Sequence, residues 1–449
     1  MKKIIYFILS FLISVLSFLF YYLFDSYDYF VFGQISVWVI TYIITTESLK
    51  KIFSLQSLFL LGYGLFILGR FVAQIFYNIP SIYCMDFIFD YCLSSDQILN
   101  LNLILYLTLL SFSLPFLFNS EKKSKLSLDV FYSINKIKML IAVQFFLLVY
   151  YSYNSYKAIE LASSSGYMAL FYGQAEVYET PIAILVFSMI IVIFSILLNN
   201  DSSANKLLIK IMFYYFLILM LVGILSGSRA SFLTALFMLG YYLYKDVKFG
   251  FLKNLLILSL CILIIYFINI LAAFSGARPY DNNEIFLQIS DTLFGQGITL
   301  MVFDASMHVD QYPLLAYLKT ILPGIQIFYS LFDIDHRYLF DFSSYLVYVN
   351  NKNMYFEGYG LGWSLLSDFY IFSFGFIPLY LLFIYFFSYF LKNIQQVGGS
   401  WINGLLFLFA SQMFIISRSS ISLIILMLIL YCLFSIILGN FRIDKNRGV

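Results

Sequence analysis

Residues 4–24, IIYFILSFLISVLSFLFYYLF, carry no charge over their whole length. As a helix rising about 1.5 Å per residue, such a run covers the roughly 30 Å hydrocarbon core of a bilayer. Comparable runs recur along the 449-residue chain. Only 11% of residues are charged and 62% are hydrophobic, whereas soluble domains carry about 25% charged residues. A soluble fold would need an implausibly large dry core. A membrane barrel would show alternating segments of about ten residues instead. The expectation is an all-α integral membrane protein. About twelve spans are placed at 4–24, 29–48, 52–77, 98–118, 139–154, 181–199, 207–225, 230–244, 254–274, 361–391, 401–417 and 420–440. The first run lacks a small-residue cleavage site and is long, so it reads as a retained helix and not a signal peptide.

Lysine placement orients the spans. Sixteen lysines, from Lys2 and Lys3 to Lys392 and Lys445, fall on one side, and Lys157, Lys319 and Lys352 fall on the other. The lysine-rich side is therefore read as cytoplasmic, with both termini on it. The arginines run the other way. Arg70, Arg229, Arg278, Arg337 and Arg418 lie toward the outer face, and only Arg442 and Arg447 lie inside. A guanidinium fork binds phosphate bidentately, while lysine acts as a point charge. The split suggests a phosphate-bearing ligand outside.

The chain divides into spans over 1–274, a large outer loop over 275–360, and spans with a short tail over 361–449. The loop holds both histidines and many carboxylates: Asp281, Glu284, Asp291, Asp304, Asp310, Asp333, Asp335, Asp341 and Glu357. It is expected to form a small domain capping the outer face. Its stretch LLAYLKTILPGIQIFYSLF is apolar enough to lie on the membrane as a helix. Another outer loop holds Cys84 and Cys92, as a disulfide or as two free thiols. Cys261 and Cys432 read as packing residues. The sequence shows no nucleotide-binding glycine motif and no zinc-type spacing. It also has no long internal repeat of the kind inverted-repeat transporters show.

Three arginines share a context: ILSGSRASFL around Arg229, FSGARPY around Arg278 and IISRSS around Arg418. Lys206 and Lys245 are separated by 38 residues, barely the roughly 40 that two crossings need. Arg229 must then sit at the outer turn of a tight hairpin, and 401–440 repeats the arrangement around Arg418. Charge at that depth costs a few kcal/mol, so such residues usually face a polar cavity or a ligand. Ser226 and Ser228 add hydroxyls and permit close approach. Any one arginine, Arg70 above all, is equally well explained by snorkelling to headgroups. The shared setting of the other three favours a ligand. In FEGYGLGWSLLSDFYIFSFGFIPLY, Gly358, Gly360 and Gly362 precede a helix with Ser364 and Asp368. Glycines there free backbone N–H groups for an anion or sugar, or make an ordinary flexible entry. Asp368 is expected to pair with or orient an arginine.

These stretches, ILSGSRASFLTALFMLGYYLY, a large outer loop, then GYGLGWSLLSDFYIFSFGFIPLY, resemble the Wzy-type O-antigen (surface polysaccharide) polymerases. The likeness covers 207–440, and the topology extends over the chain. The resemblance implies a GT-C-like fold in a bacterial inner membrane. Its substrate is an oligosaccharide repeat unit on undecaprenyl pyrophosphate, and there is no separate cofactor. It further implies contact with membrane lipids and a chain-length regulator (polysaccharide co-polymerase) as partner, with no nucleic acid. The growing glycan would pass to the non-reducing end of a new lipid-linked unit. Arg229, Arg278, Arg418 and Arg70, with Ser226 and Ser228, would bind the pyrophosphate. Gly360, Gly362 and Asp368 would shape or orient the site. The base would come from His308, His336, Asp281, Glu284, Asp335 or Glu357, which the sequence does not rank. No spacing demands a metal. O-antigen ligases share this topology but carry a His-Asn pair before the glycine-rich helix, where YVNNKNMYFEGYG has asparagines only. A lipid-linked oligosaccharide flippase is the remaining alternative.

Overall fold

A computed structural model describes residues 2–46, 51–76, 82–85, 91–118, 126–166, 170, 181–199, 205–250, 285–325 and 337–445, with isolated positions between 253 and 275. The helices are α1 Lys2–Phe24, α2 Asp28–Thr45, α3 Leu55–Phe66, α4 Gly69–Phe76, α5 Ser95–Ser113, α6 Ile134–Ser165, α7 Pro181–Leu198, α8 Lys206–Val222 and α9 Arg229–Tyr244. After the next described gap come α10 Ile285–Gln296, α11 Thr299–Met307, α12 Leu314–Ile321, α13 Phe342–Asn350, α14 Lys352–Phe356, α15 Leu365–Phe372, α16 Ile377–Ile394, α17 Ser400–Met413 and α18 Ser422–Leu438. Among the described residues, six helices are long and apolar enough to cross a membrane singly, and α3 with α4, bent by 61°, makes a seventh. Two more apolar helices, Ile182–Leu198 and Ser422–Leu438, are shorter.

Burial in α1 runs opposite to that of a soluble helix. Its buried side chains are Ser10, Ser14, Ser17 and Tyr21, while its leucines, isoleucines and phenylalanines are largely exposed. Lipid solvates the apolar face, and small polar residues form the seam that lets helices approach. Ser14 and Ser17 donate to carbonyls of their own helix. Across the seam a Cβ on Gly33 of α2 would fall 2.1 Å from Ser17 Oγ. Deeper, Gln34 donates to the Asn102 carbonyl at 2.9 Å, and Asn102 donates to Tyr83 OH at 3.0 Å. These bonds satisfy polar groups that hydrocarbon would not.

The run 361–391 is not one span. α15 ends at Phe372, a turn through Phe374 and Gly375, both at positive φ, follows, and α16 restarts beside Pro378. The helices described after residue 284 pack against the bundle. α10 packs along α4, and α11 packs against α15. A Cβ on Gly69 would lie 2.6 Å from Leu293 O, and one on Gly297 would lie 2.5 Å from Arg70 N. Residues Thr299–Ser306 are buried throughout. On α12 the face with Ala316 and Thr320 is buried, while Leu314 and Ile321 are exposed.

Two small sheets close the ends. β1 (Cys84–Met85) and β2 (Tyr91–Cys92) pair antiparallel, and the two cysteines form a disulfide. β3 (Leu126–Phe131) pairs with β4 (Asn440–Lys445) at the opposite end, in the register Leu126↔Lys445 to Phe131↔Asn440. Lysines at that end cap chain carbonyls. Lys136 donates to Leu438 O at 2.9 Å, and Lys392 donates to Pro115 O and Phe118 O, each at 2.7 Å.

A disulfide requires an oxidising compartment. In a Cys261→Ser, Cys432→Ser background, a membrane-impermeant maleimide added to intact cells should leave the protein unlabelled until an external reductant is applied. Labelling without reductant would show free thiols. Close packing gives a second expectation. A Cβ on Gly62 would sit 1.9 Å from the Phe414 carbonyl. Overpacking typically costs about 1–3 kcal/mol, so Gly62→Val should lower the melting temperature in detergent by several degrees. An unchanged melting curve would show that α3 and the 414 turn are not in contact.

Candidate functional site

α3 shows which residues share an end of the bundle. Where it begins, Phe53 meets Gly240 and Tyr244 of α9. Where it ends, Phe66 meets Phe414 at 5.5 Å between ring centroids. α9 therefore runs against α3, and α17 runs with it. Arg229 at the start of α9, Arg418 beyond α17 and Arg70 just beyond α3 all lie at one end. The Phe237–Phe414 ring contact at 4.3 Å joins α9 to α17 beneath them.

Arg418 occupies a break between two apolar helices. α17 stops at Met413, a 3-10 turn covers Ile416–Arg418, and α18 starts at Ser422. Its Nη1 donates to Gln296 Oε1 at 2.5 Å, and its guanidinium lies 5.7 Å from the centre of the Phe66 ring. A Cβ on Gly362 would lie 3.5 Å from Arg418 Nε. That is ordinary van der Waals contact, so Gly362 lies directly against the guanidinium. Gly360 faces open space and is exposed.

Asp368 holds this break in place. It is fully buried. One oxygen accepts from Trp363 Nε1 at 2.7 Å, and the other accepts from Ser420 Oγ at 2.9 Å and Ile421 N at 2.7 Å. The expected arginine partner is thus replaced by an indole, a hydroxyl and a backbone amide. The carboxylate holds Ser420 and Ile421, two and three residues after Arg418. Ser364 caps α15 through Ser367 N and also meets Ser367 Oγ at 2.7 Å; Ser306 of α11 donates to that same Oγ at 3.0 Å.

Arg70 is buried, and its Nη1 donates to Ile82 O at 3.0 Å and to Cys84 O. Its guanidinium lies 4.2 Å from the centre of the Phe294 ring. This is neither snorkelling nor an outward fork: it clamps the disulfide hairpin onto α10. The hairpin then presents Tyr91, which donates to Asp304 Oδ2 at 2.9 Å. His308 stands one turn further along α11, with Nδ1 3.5 Å from Asp304 Oδ2. Burial raises the Asp304 carboxyl to about 6, partly offset by His308 and by the Tyr91 hydrogen bond.

The other expected residues scatter. Arg229 opens α9 two residues after left-handed Gly227, and Ser228 Oγ meets Ser231 Oγ at 2.9 Å. Ser226 is buried and donates back to Gly223 O. Glu357 is exposed beyond α14. Arg278, Asp281, Glu284, Asp335 and His336 lie outside the described residues. Among the described residues no group of three His, Cys, Asp or Glu could hold a metal ion. The sequence reading missed Gln296, Phe294, Tyr91 and Gln97, which carry no chemical signature alone. It also missed the role of Asp304, although DASMH places Asp304 and His308 four apart and hence on one helix face.

Asp368→Ala would strand three donors. An unsatisfied buried polar group costs about 1–3 kcal/mol, so the variant should melt well below wild type in detergent, with Asp368→Asn between them. Equal melting temperatures would show that the carboxylate clasp contributes nothing.

No curated protein and no solved structure matches the chain. The model of one family, described as O-antigen polysaccharide polymerase Wzy, matches residues 4–444. The match takes in the arginine turns, the Asp368 clasp and the loop between them, and the chain belongs to the O-antigen polysaccharide polymerase Wzy family.

Proposed function

We propose that this protein joins undecaprenyl-pyrophosphate-linked repeat units at the outer leaflet of a bacterial inner membrane. The growing glycan leaves its carrier and passes to the non-reducing end of a new lipid-linked unit, releasing undecaprenyl pyrophosphate. Both termini lie in the cytoplasm on this reading, and a chain-length regulator acts on the same protein. The observation that carries it is Arg418: a half-buried guanidinium bonded to Gln296 at a helix break, with Gly362 beside it and Asp368 holding Ile421 on the far side of the break. A fixed cation in a water-poor setting stabilises the charge that develops on a departing pyrophosphate, with little reorganisation.

Arg229 supports the same reading. It opens α9 beyond the left-handed Gly227, at the same end of the bundle as Arg418. Arg278 is proposed to join them. Arg70, committed to carbonyls of the hairpin, acts as scaffold in this scheme. The asparagines that stand where ligases carry their His-Asn pair serve local structure. Asn351 caps α14 through Met354 N at 3.2 Å, and Asn350 donates to Leu346 O at 2.8 Å. That favours polymerase over ligase.

A deletion strain should carry single repeat units on its lipid core and recover long chains on complementation. Removing one charge-stabilising donor typically costs about 100-fold or more in rate. Arg418→Ala and Arg229→Ala should therefore abolish the ladder while the protein still inserts, and Arg418→Lys should shorten it. Wild-type ladders from both alanine variants would end the arginine mechanism. A core with no repeat unit at all in the deletion strain would indicate a ligase.

A further inference from the structure

The group that takes the proton of the attacking sugar hydroxyl has not been assigned, and the hydrogen bonds around His308 identify one. Ser94 N donates to Gln97 Oε1 at 2.8 Å in a capping box at the start of α5. That bond fixes which way the Gln97 amide points. Its Nε2 then donates to Tyr91 OH at 3.0 Å and faces His308 Nε2 at 3.3 Å. An amide nitrogen only donates, so His308 Nε2 must present its lone pair. The ring proton is on Nδ1, which faces Asp304 O at 2.9 Å and Asp304 Oδ2 at 3.5 Å. Tyr91 donates to the same carboxylate.

The placement also suits a base. The His308 side chain is 42% exposed and that of Asp304 only 1%. Asp304 Oδ1 is buried with no hydrogen-bond partner among the described residues. A carboxylate kept at that cost needs a use beyond packing. The position relative to Arg418 fits as well. Ser306, two residues before His308, bonds to Ser367, which bonds to Ser364. Gly362, two residues of chain from Ser364, lies against Arg418. Two residues span at most about 7 Å, so a chain of buried serines links the neighbourhood of His308 to that of Arg418.

We propose that His308 is the general base of the transfer and that Asp304 is the residue that positions it. This rests on the polymerase reading. As the acceptor hydroxyl attacks the anomeric carbon, its proton passes to His308 Nε2. The new glycosidic C–O bond forms while the bond from the anomeric carbon to the phosphate oxygen breaks. The electron pair leaves with undecaprenyl pyrophosphate, beside Arg418. The imidazolium returns its proton to water after release. Gln97 yields its contact with Nε2 to the incoming hydroxyl.

The test uses membranes with the full-length protein, undecaprenyl-pyrophosphate-linked repeat units as substrate and the glycan ladder as readout. His308→Ala and His308→Gln should each lower turnover about 100-fold or more, with unchanged melting temperature, and added imidazole should restore part of the His308→Ala loss. Asp304→Asn should lower kcat with KM unchanged. In the His308→Ala background it should cost nothing further, because a residue acting only through another is silent once that one is gone. Wild-type turnover in His308→Ala, or full additivity of the two substitutions, would overturn the assignment and leave the polymerase intact. Wild-type membranes that form no polymer would overturn the polymerase reading itself.

Discussion

An apolar helix pair cannot simply stop inside or beside a bilayer, because each freed amide and carbonyl must find a partner. The break between α17 and α18 is tolerable because the buried carboxylate of Asp368 accepts the Ile421 amide and the Ser420 hydroxyl. Non-helical backbone at membrane depth survives only where protein satisfies it. Once it does, the same break can carry a cation that no continuous span could hold cheaply. Arg418 sits at that break, bonded to Gln296 and in contact with Gly362.

A second clamp uses the same principle with the signs exchanged. Arg70 is a buried cation that donates to backbone carbonyls of the disulfide hairpin. The hairpin in turn sets Tyr91 and, through it, Asp304. Glycines at Gly69 and Gly297 let α4 and α10 approach until backbone meets backbone. Helices from the large loop are thereby drawn into the body of the bundle, and residues distant in sequence come to share one end. The opposite end is tied by lysines donating to chain carbonyls and by the β3–β4 pair.

Much of the helical layout was legible because its signal is local. Among the described residues the apolar runs form helices, two of them, 52–77 and 361–391, each as a broken pair, while the run 254–274 lies largely outside those residues. Less legible were the breaks. The bend after Phe66 and the turn at Phe374–Gly375 interrupt runs that read as continuous, because apolarity does not distinguish a straight span from a bent one. The pairing of residues 126–131 with 440–445 was also unforeseen: strand partners more than 300 positions apart leave no periodic trace.

For the site, the sequence alone determined which chemistry was present: arginines in small-residue turns, a carboxylate in an apolar helix, histidines in a carboxylate-rich loop. Charge in a nearly charge-free chain is visible wherever it falls, since its desolvation has to be compensated. Only the tertiary structure decided what each charge compensates. It gave Arg70 to backbone carbonyls, left Arg418 half-open at a break, and gave Asp368 to Trp363 and the start of α18 in place of an arginine. It also set Asp304 behind His308. Those outcomes depend on which side chains packing brings within about 3 Å of one another, a distance no spacing along the chain encodes.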